Sequence, residues 1–274
     1  MQFQYFDIHS HLNLSPLFEQ KGEILARMRE LGVGTITVGT GIGTSRDAIR
    51  IADENPDVCY ATVGVHPCDA PDHVITENDW VEIENLARNP RVVAIGETGL
   101  DYFRLKNEDL GLMNKEKEEQ KKIFQKHIEI AVSVGKPLML HVRAAKGTDD
   151  AYYDALEILK DQSVKANFHF FSGSKECMEK IVAAGFTISV DGPITFSHDY
   201  DDMIRTCPIE SIMAETDAPY AAPMPYRGKT CEPWMVVEVV KKIAELKLLP
   251  LETVQKQLLE NAQKFFTIPE LDNK

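Results

Sequence analysis

The sequence predicts an α/β chain of the (β/α)8, TIM-barrel type, and three observations predict it. Short apolar, β-branched runs recur with helical stretches between them. Eight such runs fall within roughly 250 residues, the span such a barrel occupies. The runs are also nearly continuous in apolar residues, as strands buried on both faces of a parallel sheet must be. A doubly wound open sheet alternates its elements in the same way and stands as the structural alternative.

In chain order, the first strand is expected at "YFDI", followed by the helical pattern "LFEQKGEILARMREL". Then come "TITVGT" (35–40) and "TSRDAIRIADEN", "YATVGV" (60–65) and "ENDWVEIENLAR", and "RVVAIGE" (91–97). The charged run "KNEDLGLMNKEKEEQKK" reads as an exposed loop entering the helix "KEKEEQKKIFQKHIEIAVSVG", and residues 104–117 as a divergent loop. Next are "PLMLHV" (137–142) with "DDAYYDALEILKD", "ANFHFF" (166–171) with "SKECMEKIVAAG", "FTISV" (186–190) with "HDYDDMIRT", and "SIMAET" (211–216). Gly135 and Gly185 stand where helix C-caps belong. Two closing helices are expected in "PWMVVEVVKKIAELKLLPLETVQKQLLENAQKFF". No Pro- or Gly-rich linker, long repeat or low-complexity tract divides the chain, so residues 1–274 read as one domain.

With 43% hydrophobic and 27% charged residues, a packed core is expected. No apolar run approaches the ~20 residues that span a bilayer. No basic stretch followed by an apolar run opens the chain, so a cytoplasmic protein with no membrane partner is expected, as a monomer or weak oligomer. The cysteines Cys59, Cys68, Cys177, Cys207 and Cys231 are odd in number, scattered and without a CxxC pair, which fits reduced thiols that are buried or incidental. The net charge of −13 repels nucleic acid and argues against a dedicated nucleic-acid-binding module. It argues less against an enzyme that captures a phosphate locally at strand ends.

Rare polar groups fall at strand ends. "YFDIHSH" places Asp7, His9 and His11 at alternate positions, which share one side of an extended strand. Glu97 ends "VVAIGE", His141 closes "PLMLH", His169 lies in "ANFH", and Asp217 follows "SIMAET". Each histidine taken singly is as well explained by a hydrogen-bonded core position, and Glu97 and Asp217 by loop carboxylates. Jointly, His9, His11, Glu97, His141, His169 and Asp217 sit at the C-terminal ends of five strands, the face that carries a barrel's active site. His73, His127 and His198 lie away from strand ends and read as surface or packing residues. Four imidazoles and two carboxylates without cysteine suit Zn²⁺, Mn²⁺, Co²⁺ or Mg²⁺ rather than a closed structural zinc. Six ligands exceed the need of one tetrahedral ion and point to two, with Glu97 as the better bridge and Asp217 as the better group to orient or deprotonate water.

With those residues in place, the chain resembles the TatD family of metal-dependent hydrolases, within the amidohydrolase superfamily. The resemblance runs through "DIHSHL" (7–12), "GVHP" (64–67), "GETGLDYF" (96–103), "PLMLHVR" (137–143), "HFFSG" (169–173), "ETDAPYAAPMPYRGK" (215–229) and "ENAQKFF" (260–266). It implies a (β/α)8 barrel with a divalent metal centre and hydrolase activity, often deoxyribonuclease and in particular 3′ to 5′ exonuclease action on DNA ends. The family's metal ligands correspond to the six residues named above, and its catalytic groups to Asp217, Glu97 and His66 of "GVHP". Asp7 is then a support for a ligand histidine, and Arg143, Arg227 and Lys229 are candidates to hold substrate phosphates. Thr98 in "GETG", Phe170 in "HFFSG", the residues beyond Arg143 and the segment 104–117 depart from the family's pattern, which bears on substrate and not on the ligands. Two rivals remain open: an ester or amide hydrolase using the same centre, including one acting on charged tRNA, and a non-catalytic metal-stabilised interaction protein. A histidinol-phosphatase-like barrel also begins with His-x-His, and "ETDAPY" argues against it.

Overall fold

A computed structural model describes residues 3–68, 75–105 and 109–269. Eight parallel strands follow one another around a single sheet: β1 Tyr5–Ser10, β2 Val33–Thr37, β3 Cys59–Val63, β4 Val92–Asp101, β5 Leu138–Arg143, β6 Ala166–His169, β7 Thr187–Val190 and β8 Ile212–Ala214. Each strand pairs with the next in the chain, and the ring is drawn together at the segment after β8. There Asp217 N donates to His9 O at 2.9 Å and His11 N to Ala218 O at 2.7 Å. This is the (β/α)8 barrel that the alternation predicts, and not the open sheet.

The helices are α1 Leu17–Leu31, α2 Ile42–Glu54, α3 Glu77–Ala87, α4 Leu110–Val134, α5 Asp150–Leu159, α6 Lys175–Ala183, α7 Asp201–Thr206, α8 Val236–Lys247 and α9 Leu251–Phe266. Their starts follow local chemistry. Thr76 caps α3, accepting from Asp79 N while the Asp79 carboxylate accepts from Thr76 N. Asp109 caps α4 by accepting from Leu112 N. Gly135 closes α4 with φ 68°, the left-handed conformation that a side chain disfavours.

Several strand ends shift by a few residues from expectation, as at β2 and β8, and two differences bear on the site. The divergent stretch 104–117 is helical from Leu110 onward, because Asp109 supplies a cap and Lys117 and Lys121 bond Asp150 and Asp154 of α5 at 2.9 and 3.0 Å. Residues 106–108 within it lie outside the described residues, as does His73. Strand β4 runs four residues past Glu97 to Asp101, since Gly99 and Asp101 continue the ladder opposite His141 and Arg143.

The main core packs strand residues such as Leu138 and Leu140 against helix residues such as Phe124 and Ile128. A smaller cluster gathers Phe6, Ile36, Tyr60, Met139 and Met213 with Phe265 and Phe266 of α9. Burying each large apolar side chain contributes about 1.5–3 kcal/mol, which anchors the last helix beside the first and last strands. Among the described residues, no helix is long and apolar enough to cross a membrane. Cys59, Cys177, Cys207 and Cys231 are buried free thiols, as expected, whereas Cys68 is partly exposed and has a defined partner described below.

Candidate metal centre

The six ligand candidates converge, and Glu97 lies at their middle. Its Oε2 faces His9 Nε2 at 3.5 Å and His11 Nε2 at 3.8 Å. Asp217 Oδ1 joins that group, 3.6 Å from His9 Nε2 and 3.3 Å from His11 Nε2. The other oxygen, Oε1, faces His141 Nδ1 at 3.0 Å, His169 Nε2 at 2.9 Å and His66 Nε2 at 3.4 Å. One carboxylate thus offers each of its oxygens to a separate nest of nitrogens. The parallel barrel produces this directly: β1, β4, β5 and β6 deliver their chain-terminal side chains to one end, and the bend after β8 brings Asp217 to β1.

The ring protons decide which nitrogens are free to ligate. His11 Nδ1 lies 3.3 Å from Val38 O, an acceptor only, so Nδ1 carries the proton and Nε2 keeps its lone pair. His141 Nε2 lies 3.0 Å from Asp101 Oδ2, which leaves Nδ1 as its ligand atom. His169 Nδ1 faces Glu215 Oε1 at 3.4 Å, leaving Nε2. Each of these lone pairs points at Glu97 or Asp217, as a bound divalent cation requires, so the residues present fit such a group. His66 is the opposite case. Its Nδ1 accepts from Cys68 N at 3.1 Å, so its Nε2 carries the proton and is a donor rather than a ligand.

The electrostatics follow from burial and from the mutual proximity of these groups. Burial opposes ionisation of Glu97, yet the surrounding His66, His169 and His9 hold its carboxyl well below the usual range. Burial also opposes ionisation of Asp217, and its bond to His11 outweighs that and lowers it. Burial works against charge on His11, but the Asp217 bond leaves it raised, whereas His9, desolvated and stacked 3.8 Å from His169, is lowered.

Asp7 stands below the nests. It accepts from Thr216 N at 2.8 Å, from the hydroxyls of Thr35 and Thr216 at 3.0 Å, and from His9 N at 3.3 Å. It therefore fixes the backbone of β1 against the segment after β8 and supports His9 through the main chain rather than through its ring. Arg143 follows His141 on β5, its guanidinium 3.9 Å over the exposed ring of Phe103. Arg227 and Lys229 lie exposed on the loop after β8, Arg227 over Phe196 at 4.2 Å. His198 is exposed beside Asp201, and His127 is buried in α4.

Two carboxylates that the sequence reading passed over hold the ligand rings. Glu215 backs His169, and also accepts from Phe170 N and pairs with Ser189 Oγ at 2.7 Å. Asp101 backs His141 and accepts from Arg104 N at 2.8 Å and from Cys68 Sγ at 3.3 Å. Burial opposes its charge, but the His141 bond holds its pKa down at about 2. The Cys68 thiol is pushed up to about 12 by burial and by Asp101, so it serves as a proton donor and not as a reactive thiolate. Both residues occur in stretches quoted above, and their spacing after the ligand strands was the available signal. Helix α4 pins this corner: Gln120 exchanges hydrogen bonds with the Asp101 backbone, and His127 Nε2 accepts from Val65 N, next to His66.

Asp101→Ala removes the acceptor that fixes the His141 tautomer, so divalent-cation affinity is expected to fall about 10–100-fold. Nitrogen-15 spectra of His141 are expected to change from one tautomer to a mixture. Parent-like affinity with a single unchanged tautomer would show that Glu97 alone orients the ring.

A family model described as "TatD related DNase" matches residues 6–267. The uncharacterized metal-dependent hydrolase YabD of Bacillus subtilis is 35% identical over 271 residues, covering 96% of this chain and 99% of its own. The uncharacterized metal-dependent hydrolase YcfH of Escherichia coli K12 is 31% identical over 274 residues, 96% of this chain and 95% of its own. Among solved structures, YJJV, a TatD homolog from Escherichia coli K12, matches with a TM-score of 0.83 at 25% identity, over 98% of this chain and 100% of that one.

Proposed function

The chain belongs to the family of TatD related DNases and is a metal-dependent hydrolase; on that premise we propose that it cleaves phosphodiester bonds at DNA strand ends, removing nucleotides in the 3′ to 5′ direction. The observation that carries the reading is the division of Glu97 between two nests, Oε2 toward His9 and His11 and Oε1 toward His141 and His169. Such a pair of adjacent cation sites matches an in-line displacement, in which attacking and leaving oxygens both need stabilisation.

Divalent ions bound there supply Lewis acidity and make water a nucleophile near neutral pH. Two such ions would be held by His9, His11 and Asp217 on one side and by His141 and His169 on the other, with Glu97 facing both groups. Asp217 is ionised and partly open to solvent, so it accepts the proton of the attacking water. His66 presents an Nε2–H toward the same space and donates to a phosphoryl or leaving oxygen. Arg143, and with it Arg227 and Lys229, offers the local positive charge that an acidic surface otherwise lacks.

A 3′-labelled single strand incubated with Mg²⁺ or Mn²⁺ is expected to shorten from its labelled end. Folded, pure Asp217→Asn is expected to be at least about hundredfold slower. Equal rates for variant and parent would sink the proposal. Simple esters run in parallel, turned over while DNA stays intact, would transfer the same centre to an ester or amide hydrolase.

A further inference from the structure

Three strands carry matched pairs of polar residues. On β6, β7 and β8 the side chains of Asn167, Ser189 and Glu215 form a row, with Ser189 Oγ 3.0 Å from Asn167 Oδ1 and 2.7 Å from Glu215 Oε2. They therefore lie on one face of the sheet. Two residues further along each strand come His169, Asp191 and Asp217. Asp191 continues β7 in an extended conformation (φ −136°, ψ −163°), so by strand alternation it keeps the face of Ser189, near enough to His169, Glu215 and Asp217 to feel their charges. β7 thus adds a buried carboxylate at the end of the barrel that holds the ligand candidates.

Among the described residues, one oxygen of that carboxylate lacks a hydrogen-bond partner. Asp191 is 4% exposed and its Oδ2 has no hydrogen-bond partner among the described residues. It stands where an aspartate caps a helix, before the 3-10 turn Gly192–Thr195, yet makes no capping bond with its side chain. Burial, together with the negative charges of Glu215 and Asp217, pushes its carboxyl well above the usual range, opposed by His169. A buried carboxylate without a partner costs free energy unless a cation or a hydrogen-bonding ligand joins it. Its backbone is also held in place, because Gly192 packs against the Ala221 carbonyl of the loop after β8 with no space for a side chain.

We propose that Asp191 is an additional oxygen ligand for a divalent cation at this centre, near His169 and Asp217, making a carboxylate-rich edge that takes hard ions such as Mn²⁺ and Mg²⁺. The proposal rests on the metal centre itself and not on the substrate assigned to it. Hard cations are held by oxygen donors, and a third carboxylate beside Glu97 and Asp217 moves an otherwise imidazole-rich site toward them.

Metal-free parent, Asp191→Asn and Asp191→Ser are titrated with Mn²⁺ alone by calorimetry, with bound ion counted by electron paramagnetic resonance, and the thermal midpoint of each metal-free protein is measured. Both variants are expected to bind Mn²⁺ at least about tenfold more weakly than the parent, while their metal-free midpoints stay level or rise because a repelled buried carboxyl is gone. Mn²⁺ affinity within about twofold of the parent in both variants would overturn the assignment, being too small a change for a lost ligand. So would a loss of affinity matched by a lower metal-free midpoint, since that is the mark of a structural role. Neither readout involves DNA, so failure of the nuclease assignment leaves this result interpretable.

Discussion

Glu97→Gln is expected to lower kcat/KM by about 10³-fold or more, a barrier increase of about 4 kcal/mol, and to bind fewer divalent ions than the parent. The side chain is buried, and its two oxygens serve different neighbours: Oε2 for His9 and His11, Oε1 for His141, His169 and His66. Glutamine has nearly the same shape but only one acceptor. Its amide nitrogen carries two protons and no lone pair, so whichever nest it faces loses an anionic ligand and meets a donor instead. The charge is lost as well, and Glu97 is held strongly ionised by the surrounding imidazoles of His66, His169, His9 and His141. Removing one member of such a buried, mutually satisfied set leaves the rest uncompensated. The check is elemental analysis of the purified variant together with steady-state rates and a thermal midpoint. A parent-like ion count and turnover would show that Glu97 does not hold the cations.

Much of this site was legible because strand ends are readable one element at a time. A parallel barrel sends every strand's last side chains to the same end, so His9, His11, His141 and His169 needed only strand boundaries to be brought together. Glu97 was found by the same rule even though β4 continues beyond it to Asp101. What escaped depends on contacts between distant segments. Asp101 meets His141 only because β4 outruns its apolar run and stays paired with β5. Glu215 meets His169 across β7, a separation of 46 residues in the numbering. Asp191 directly follows the expected strand "FTISV", in the position that drew attention to Asp217, and no family motif marked it. Cys68 reads as incidental until the loop after β3 folds onto Asp101. Ligands placed by one strand are visible in the sequence, whereas the groups that orient them are set by register between strands.

Register also links the barrel's stability to its chemistry at Gly99, and Gly99→Ala is expected to be severely damaging. Gly99 pairs with His141 in the β4–β5 ladder and adopts φ 136°, a conformation that side-chain-bearing residues rarely take. A Cβ at this position would stand 2.2 Å from the His141 carbonyl oxygen. The obstacle is backbone within a paired strand, so no flexible side chain can swing aside to relieve it. Overpacking and backbone strain together are expected to cost about 4 kcal/mol, a fall in thermal midpoint of about 10 °C for a chain of this size. Relief by separating β4 from β5 moves Glu97, His141 and Asp101 relative to one another, so both nests lose their spacing and cation affinity falls with stability. Gly135→Ala is the matched control. Its φ is 68°, but nothing lies within 4 Å of the added carbon, so the expected cost is only the left-handed penalty of about 1–2 kcal/mol. It precedes the start of β5 at Leu138, at the end of that strand away from His141, and cation affinity and turnover are expected to stay at parent level. Equal loss of cation affinity in the two variants would mean that destabilisation in general, and not the β4–β5 register, governs the centre.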